Sequence, residues 1–185
     1  MKNPYIYGYL PLFSIILFSL TFGIYMVGQS IDLLESIGVY AGMREFLTDF
    51  ELRIFLLIAF TLCFFMLFSA LKLIGETIHE VGMLLFSKNS NGEMISVARG
   101  GYVIFFFGAL STVLGVQSFT ILLILFTLTI LSYFIFNIYK MSQFLTLSGT
   151  IGLIIFEIII WTILLTLILY VGLKLYNGLL ASLPF

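Results

Sequence analysis

Between Gly100 and Tyr139 the chain runs for 40 residues without a charged side chain. As one straight α-helix that stretch would reach about 60 Å, roughly twice the ~30 Å hydrocarbon thickness of a bilayer. It must therefore turn back on itself. The best break is Gly115-Val116-Gln117-Ser118, where Gly115 can end one helix and Ser118 can cap the next. Segments of this length and greasiness pair their amides internally as helices when lipid surrounds them. The expected fold is all-α: a polytopic transmembrane bundle in one domain over residues 1–185.

Composition supports lipid as the solvent. Of 185 residues, 62% are hydrophobic and 9% charged, against a charged fraction of about 25% in soluble domains. Eight Lys and Arg against nine Asp and Glu leave no clustered basic face for nucleic acid. Cys63, the single cysteine, has no partner for an intramolecular disulfide.

About five stretches reach spanning length. The first runs from Pro11, placed as a first-turn proline, to Ile31, and continues to a stop near Gly38. It is followed by no small-residue cleavage site and reads as a retained helix rather than a signal peptide. Residues 32–53 carry Asp32, Glu35, Arg44, Glu45, Asp49, Glu51 and Arg53 and form a solvated connection. Thr48-Asp49-Phe50-Glu51 has the capping-box form that opens a helix. That second helix is uncharged from Ile54 to Leu71 and then becomes amphipathic until Ser-Lys-Asn-Ser-Asn-Gly-Glu breaks it at 87–93. The third and fourth helices are the two arms of the uncharged run. A fifth extends from about Thr150 to Tyr170, or on to Tyr176.

Lysine and arginine set the orientation. Lys2, Lys72, Lys88, Arg99 and Lys140 would share one side and Arg44, Arg53 and Lys174 the other. The richer side is expected to be the cytoplasmic face of a bacterial cell membrane, with the amino terminus inside. Tyr5, Tyr7, Tyr9, Tyr170 and Tyr176 read as interfacial belts.

Two constellations carry possible chemistry. Lys72, Glu76, His79 and Glu80 fall on one helical stripe and read as a solvated helix end. Glu76-x-x-His79 has metal-ligand spacing, but no second histidine completes it. Glu157 lies inside the fifth apolar run, where a carboxylate is costly and calls for a partner. Lys72, Arg99 and Asn137 approach the same half of the membrane, and Lys72 is the expected partner. Glu157 then either holds helices together by a hydrogen bond or handles protons or cations.

Small residues supply the expected packing faces. Gly101, Gly108 and Gly115 recur every seven residues with Ser111 and Thr112 between them, and Ser19 and Gly23 repeat the pattern on the first helix. Such faces let helices approach closely in lipid, within one chain or against a partner subunit.

Four stretches, FSALKLIGETI at 68–78, LLFSKNSNGE at 84–93, GALSTVLGVQS at 108–118 and VGLKLYNGLLASLPF at 171–185, make the chain resemble the YufK-like family of small bacterial integral membrane proteins. The resemblance extends over essentially the whole chain and implies no catalytic or binding residues; its pattern does not require histidine at position 79. No catalytic set, phosphate-binding loop or cofactor motif emerges from the residues either. The expectation is a non-enzymatic membrane protein that associates with other membrane components, a membrane-protein partner or further copies of itself. The alternative is a small transporter or ion-handling subunit using Glu157.

Overall fold

The computed structural model describes residues 4–87 and 99–182, and the side chains of 8–87 and 100–178. Lys2, Lys88, the Tyr5, Tyr7 and Arg99 side chains and most of the 87–93 break lie outside the described residues. Six α-helices are described: α1 (Pro4–Ser36), α2 (Val39–Met43), α3 (Asp49–Phe86), α4 (Tyr102–Thr112), α5 (Phe119–Met141) and α6 (Leu147–Ser182). They divide between two compact units. Residues 1–74 and 91–141 form the first, and 75–90 and 142–185 the second.

Several helix ends follow from local chemistry. At the start of α3, Glu51 Oε2 accepts from the Thr48 amide and hydroxyl at 2.8 Å each, while the Glu51 amide donates to Thr48 Oγ1 at 3.3 Å. These bonds are the reciprocal pairs of a capping box. α1 ends where Gly38 turns left-handed at φ 74°, its amide donating to Glu35 O. A side chain at Gly38 would meet open space, so only backbone strain opposes substitution. Gly38→Val is expected to destabilise the protein by about 1–2 kcal/mol, checked by detergent-titrated unfolding.

Two expected starts are corrected. α1 already runs at Pro4, which puts Pro11 inside the helix. The apolar Tyr5–Leu10 segment extends the helical pattern upstream, and prolines inside membrane helices are tolerated. α6 starts at Leu147, earlier than Thr150, because Thr146 Oγ1 accepts from the Gly149 amide at 3.2 Å and caps it.

The apolar helices expected from the sequence are present, with unequal lengths. Four helices have spanning length and hydropathy: Gly8–Ser36, Asp49–Phe86, Phe119–Phe144 and Leu147–Gly178. The third arm, Tyr102–Gly115, is shorter and reaches only about 20 Å at ~1.5 Å per residue. It tightens into a 3₁₀ turn at Val113–Gly115, and the Ser118 amide then donates to Gly115 O at 3.0 Å. The chain turns where glycine and serine predict it, leaving the helix too short to match its neighbours.

The core of the first unit is aromatic. Phe18, Phe22, Phe68, Ala109 and Leu122 are buried together. Phe126 meets Phe18 edge-on at 5.1 Å and lies 5.0 Å from Phe68, in geometries that favour ring pairs. Ala109 and Thr112 give α4 a small face toward α1, where the Thr21 and Thr112 hydroxyls lie 3.1 Å apart. Core aromatics therefore fill space between α1, α3 and α5 while α4 fits closely.

Candidate intramembrane polar site

Within the second unit, α3 and α6 run antiparallel with glycines at their contacts. A Cβ on Gly75 would stand 3.2 Å from the Trp161 ring, and one on Gly82 would stand 2.5 Å from Leu153 Cδ1 and 3.3 Å from Phe156. One on Gly152 would stand 2.5 Å from the Phe86 ring. As the contacts ascend α3 from 75 to 86, they descend α6 from 161 to 152. The α3 positions 75, 79, 82 and 86 step by four, three and four, the spacing of a helix–helix seam.

His79 occupies the seam position between the two α3 glycines. Its Nδ1 lies 2.5 Å from Glu157 Oε1, with side-chain exposures of 14% and 5%. Either the imidazole N–H donates to the carboxylate or the carboxylic O–H donates to Nδ1; both place one proton between the atoms. The pair lies about 10 Å from the Phe86 end of α3 and about 15 Å from the Leu147 end of α6, counted at ~1.5 Å per residue. Glu157 lies in Leu147–Gly178, a helical segment with the length and hydropathy of a membrane span, where an unpartnered carboxylate would be costly.

The solvated reading of His79 is therefore corrected: its imidazole faces α6. Glu80, the next residue, is exposed, and Glu76 is partly buried. Among the described residues no three His, Cys, Asp or Glu side chains converge on a possible metal position. Glu76-x-x-His79 thus gains no further ligand from them.

The partner given to Glu157 differs from the expected one. Lys72 and Asn137 belong to the first unit, where Lys72 Nζ stands 5.6 Å from the centroid of the Tyr102 ring. Asn137 is 5% exposed, and its Oδ1 has no hydrogen-bond partner among the described residues. It lies beside Gly101, 3.2 Å from where a Cβ would stand. An open, largely apolar groove of about 400 Å³ in the same unit runs along Phe107, Gly108, Ser111, Thr129 and Ser132.

The glycine stripe faces α5 throughout. A Cβ on Gly101 would strike Tyr133, one on Gly108 would fall within the Thr129 side chain, and one on Gly115 would stand 2.8 Å from Ile121 Cγ2. A Cβ on Gly23 would stand 2.7 Å from Thr61 Oγ1, while Ser19 is fully buried and donates to Ile15 O at 2.6 Å. All of these contacts lie within the first unit.

Residues 27–184 match the model of a family of unknown function, DUF5366. Over 184 residues, covering 100% of both chains, the sequence is 35% identical to the uncharacterized membrane protein YufK of Bacillus subtilis (strain 168). No solved structure matches.

Proposed function

This chain belongs to the DUF5366 family of unknown function, which fits a multi-pass integral membrane protein, and we propose on that premise that it handles ions through His79 and Glu157. The observation that carries the reading is the direct hydrogen bond between these ionisable side chains on two different apolar helices. Such groups inside a membrane mark ion pathways and proton relays when they are partnered as these are. The chemistry requires no covalent step and no cofactor, so the reading is of a non-enzymatic membrane protein. Its site is the bacterial cell membrane, with the amino terminus cytoplasmic, supported by the excess of Lys and Arg on that side.

Glu157→Gln retains the size of the side chain and removes its ability to ionise. Vesicles containing the wild-type chain are expected to dissipate an imposed ion gradient faster than empty vesicles, and the variant is expected to match empty vesicles. Equal dissipation by wild type and variant would end the ion-handling reading.

A second reading, association with another membrane component or with further copies of the chain, is favoured by α6. Every described residue from Leu165 to 178 is exposed, and Gly172 and Gly178 face open space. Small residues on a membrane helix permit close approach of another helix. Chemical crosslinking in native membranes checks it, using single cysteines placed at Gly172 and Gly178. Specific adducts support association, and none would remove it.

A further inference from the structure

We propose that the ion handled at this site is the proton, and that alkali cations are excluded from it. The inference rests on the ion-handling reading of His79 and Glu157 and specifies its substrate. A cation stripped of water needs a shell of several oxygens. Here Glu157 Oε1 is engaged by an imidazole nitrogen, which is a poor substitute for an oxygen ligand to a hard cation. One turn away on either side, the seam consists of Gly75 against Trp161 and Gly82 against Leu153 and Phe156. These contacts bring glycine, indole and hydrocarbon toward the pair.

Among the described residues of the second unit, the ionisable groups next to the pair in sequence are on α3. Glu76 precedes His79 by three residues and Glu80 follows it by one. Glu80 is exposed, and Glu76 forms no three-group cluster with His79 and Glu157. On α6, Glu157 is the only Asp, Glu, Lys, Arg or His from Leu147 to Leu173. What the site does supply is a donor and an acceptor whose roles can exchange. With His79 as the imidazolium and its Nδ1–H donating to the Glu157 carboxylate, transfer across the bond leaves a neutral imidazole protonated at Nε2 and a carboxylic O–H that donates back to Nδ1. One proton changes owner and no electron moves. Net transport requires that each proton taken up by one member be matched by one released from the other.

The test uses the full chain in phosphatidylcholine–phosphatidylglycerol vesicles. Proton entry is followed with an internal pH dye under a potassium diffusion potential, and sodium and rubidium uptake with tracers. Wild type is expected to admit protons and neither tracer above the level of empty vesicles. His79→Gln and Glu157→Gln are each expected to reduce proton entry to that level. The exchanged pair, His79→Glu with Glu157→His, rebuilds donor and acceptor across the seam and is expected to restore entry. That variant decides the matter if the single variants elute as aggregates: folded exchanged protein without proton entry overturns the proposal. Sodium or rubidium uptake that depends on Glu157 would overturn the proton assignment while leaving the ion-handling reading intact. No uptake of any ion by wild type would overturn both.

Discussion

Replacing His79 with leucine is expected to destabilise the protein more than replacing His79 and Glu157 together. The single change leaves Glu157 among apolar neighbours without its described hydrogen-bond partner. Breaking a buried ion pair by removing one member costs about 3–5 kcal/mol, whereas replacing both by hydrocarbon is often neutral or stabilising. Lipid changes the reference, because the separated helices can find other polar partners; neutral cross-helix hydrogen bonds in one membrane protein average about 0.6 kcal/mol. The size of the loss therefore reports what the pair is. A loss near the upper figure indicates an ion pair, and one well below 1 kcal/mol a neutral hydrogen bond by the same comparison. Glu157→Gln should lose less than His79→Leu, since an amide can still bond to Nδ1. Equilibrium unfolding in mixed micelles measures these variants, with Glu157→Leu and His79→Leu/Glu157→Leu closing the cycle. Additive losses would mean that the two side chains do not depend on each other.

That dependence is the part of the site the sequence conceals. Glu157 is conspicuous alone, because a carboxylate between Phe156 and Ile158 breaks an apolar run. Its partner is 78 residues away and is set by the antiparallel register of α3 and α6. Lys72, Glu76, His79 and Glu80 form the same stripe whether it faces water or another helix. The available signal was in the glycines: Gly75 and Gly82 bracket His79 at the seven-residue spacing already visible in Gly101, Gly108 and Gly115. A histidine midway along such a face points at whatever the glycines approach.

Features decided within a few residues were legible. The Thr48–Glu51 box closes within four positions, the Gly38 stop needs only a left-handed backbone, and the turn at 115–118 follows from one glycine and one serine. Helix lengths were less so. Pro11 suggests a start when read locally, yet the apolar pattern on both sides of it carries the helix through. Tyr102–Gly115 shares its greasiness with the spanning helices but ends too early to equal them. Hydropathy reports which solvent a segment prefers; where a helix starts and stops depends on caps and on neighbours.

Gly108→Val is expected to separate α4 from α5 and to destabilise the first unit by at least the ~1–3 kcal/mol typical of overpacking. The obstruction begins with the first added carbon, since a Cβ on Gly108 would lie within the Thr129 side chain. Thr129 has little freedom to yield. It is buried and β-branched, and its hydroxyl donates to Leu125 O at 2.7 Å. Gly108→Ala should therefore already be harmful, and Thr129→Gly, which removes the three atoms nearest the new Cβ, should recover part of the loss. Gly172→Val is the matched control, because that glycine faces open space on an apolar helix; its unfolding midpoint should stay near wild type. The comparison uses the same mixed-micelle titration. If Gly108→Val and Gly172→Val unfold together, close packing through the glycine stripe does not hold α4 to α5.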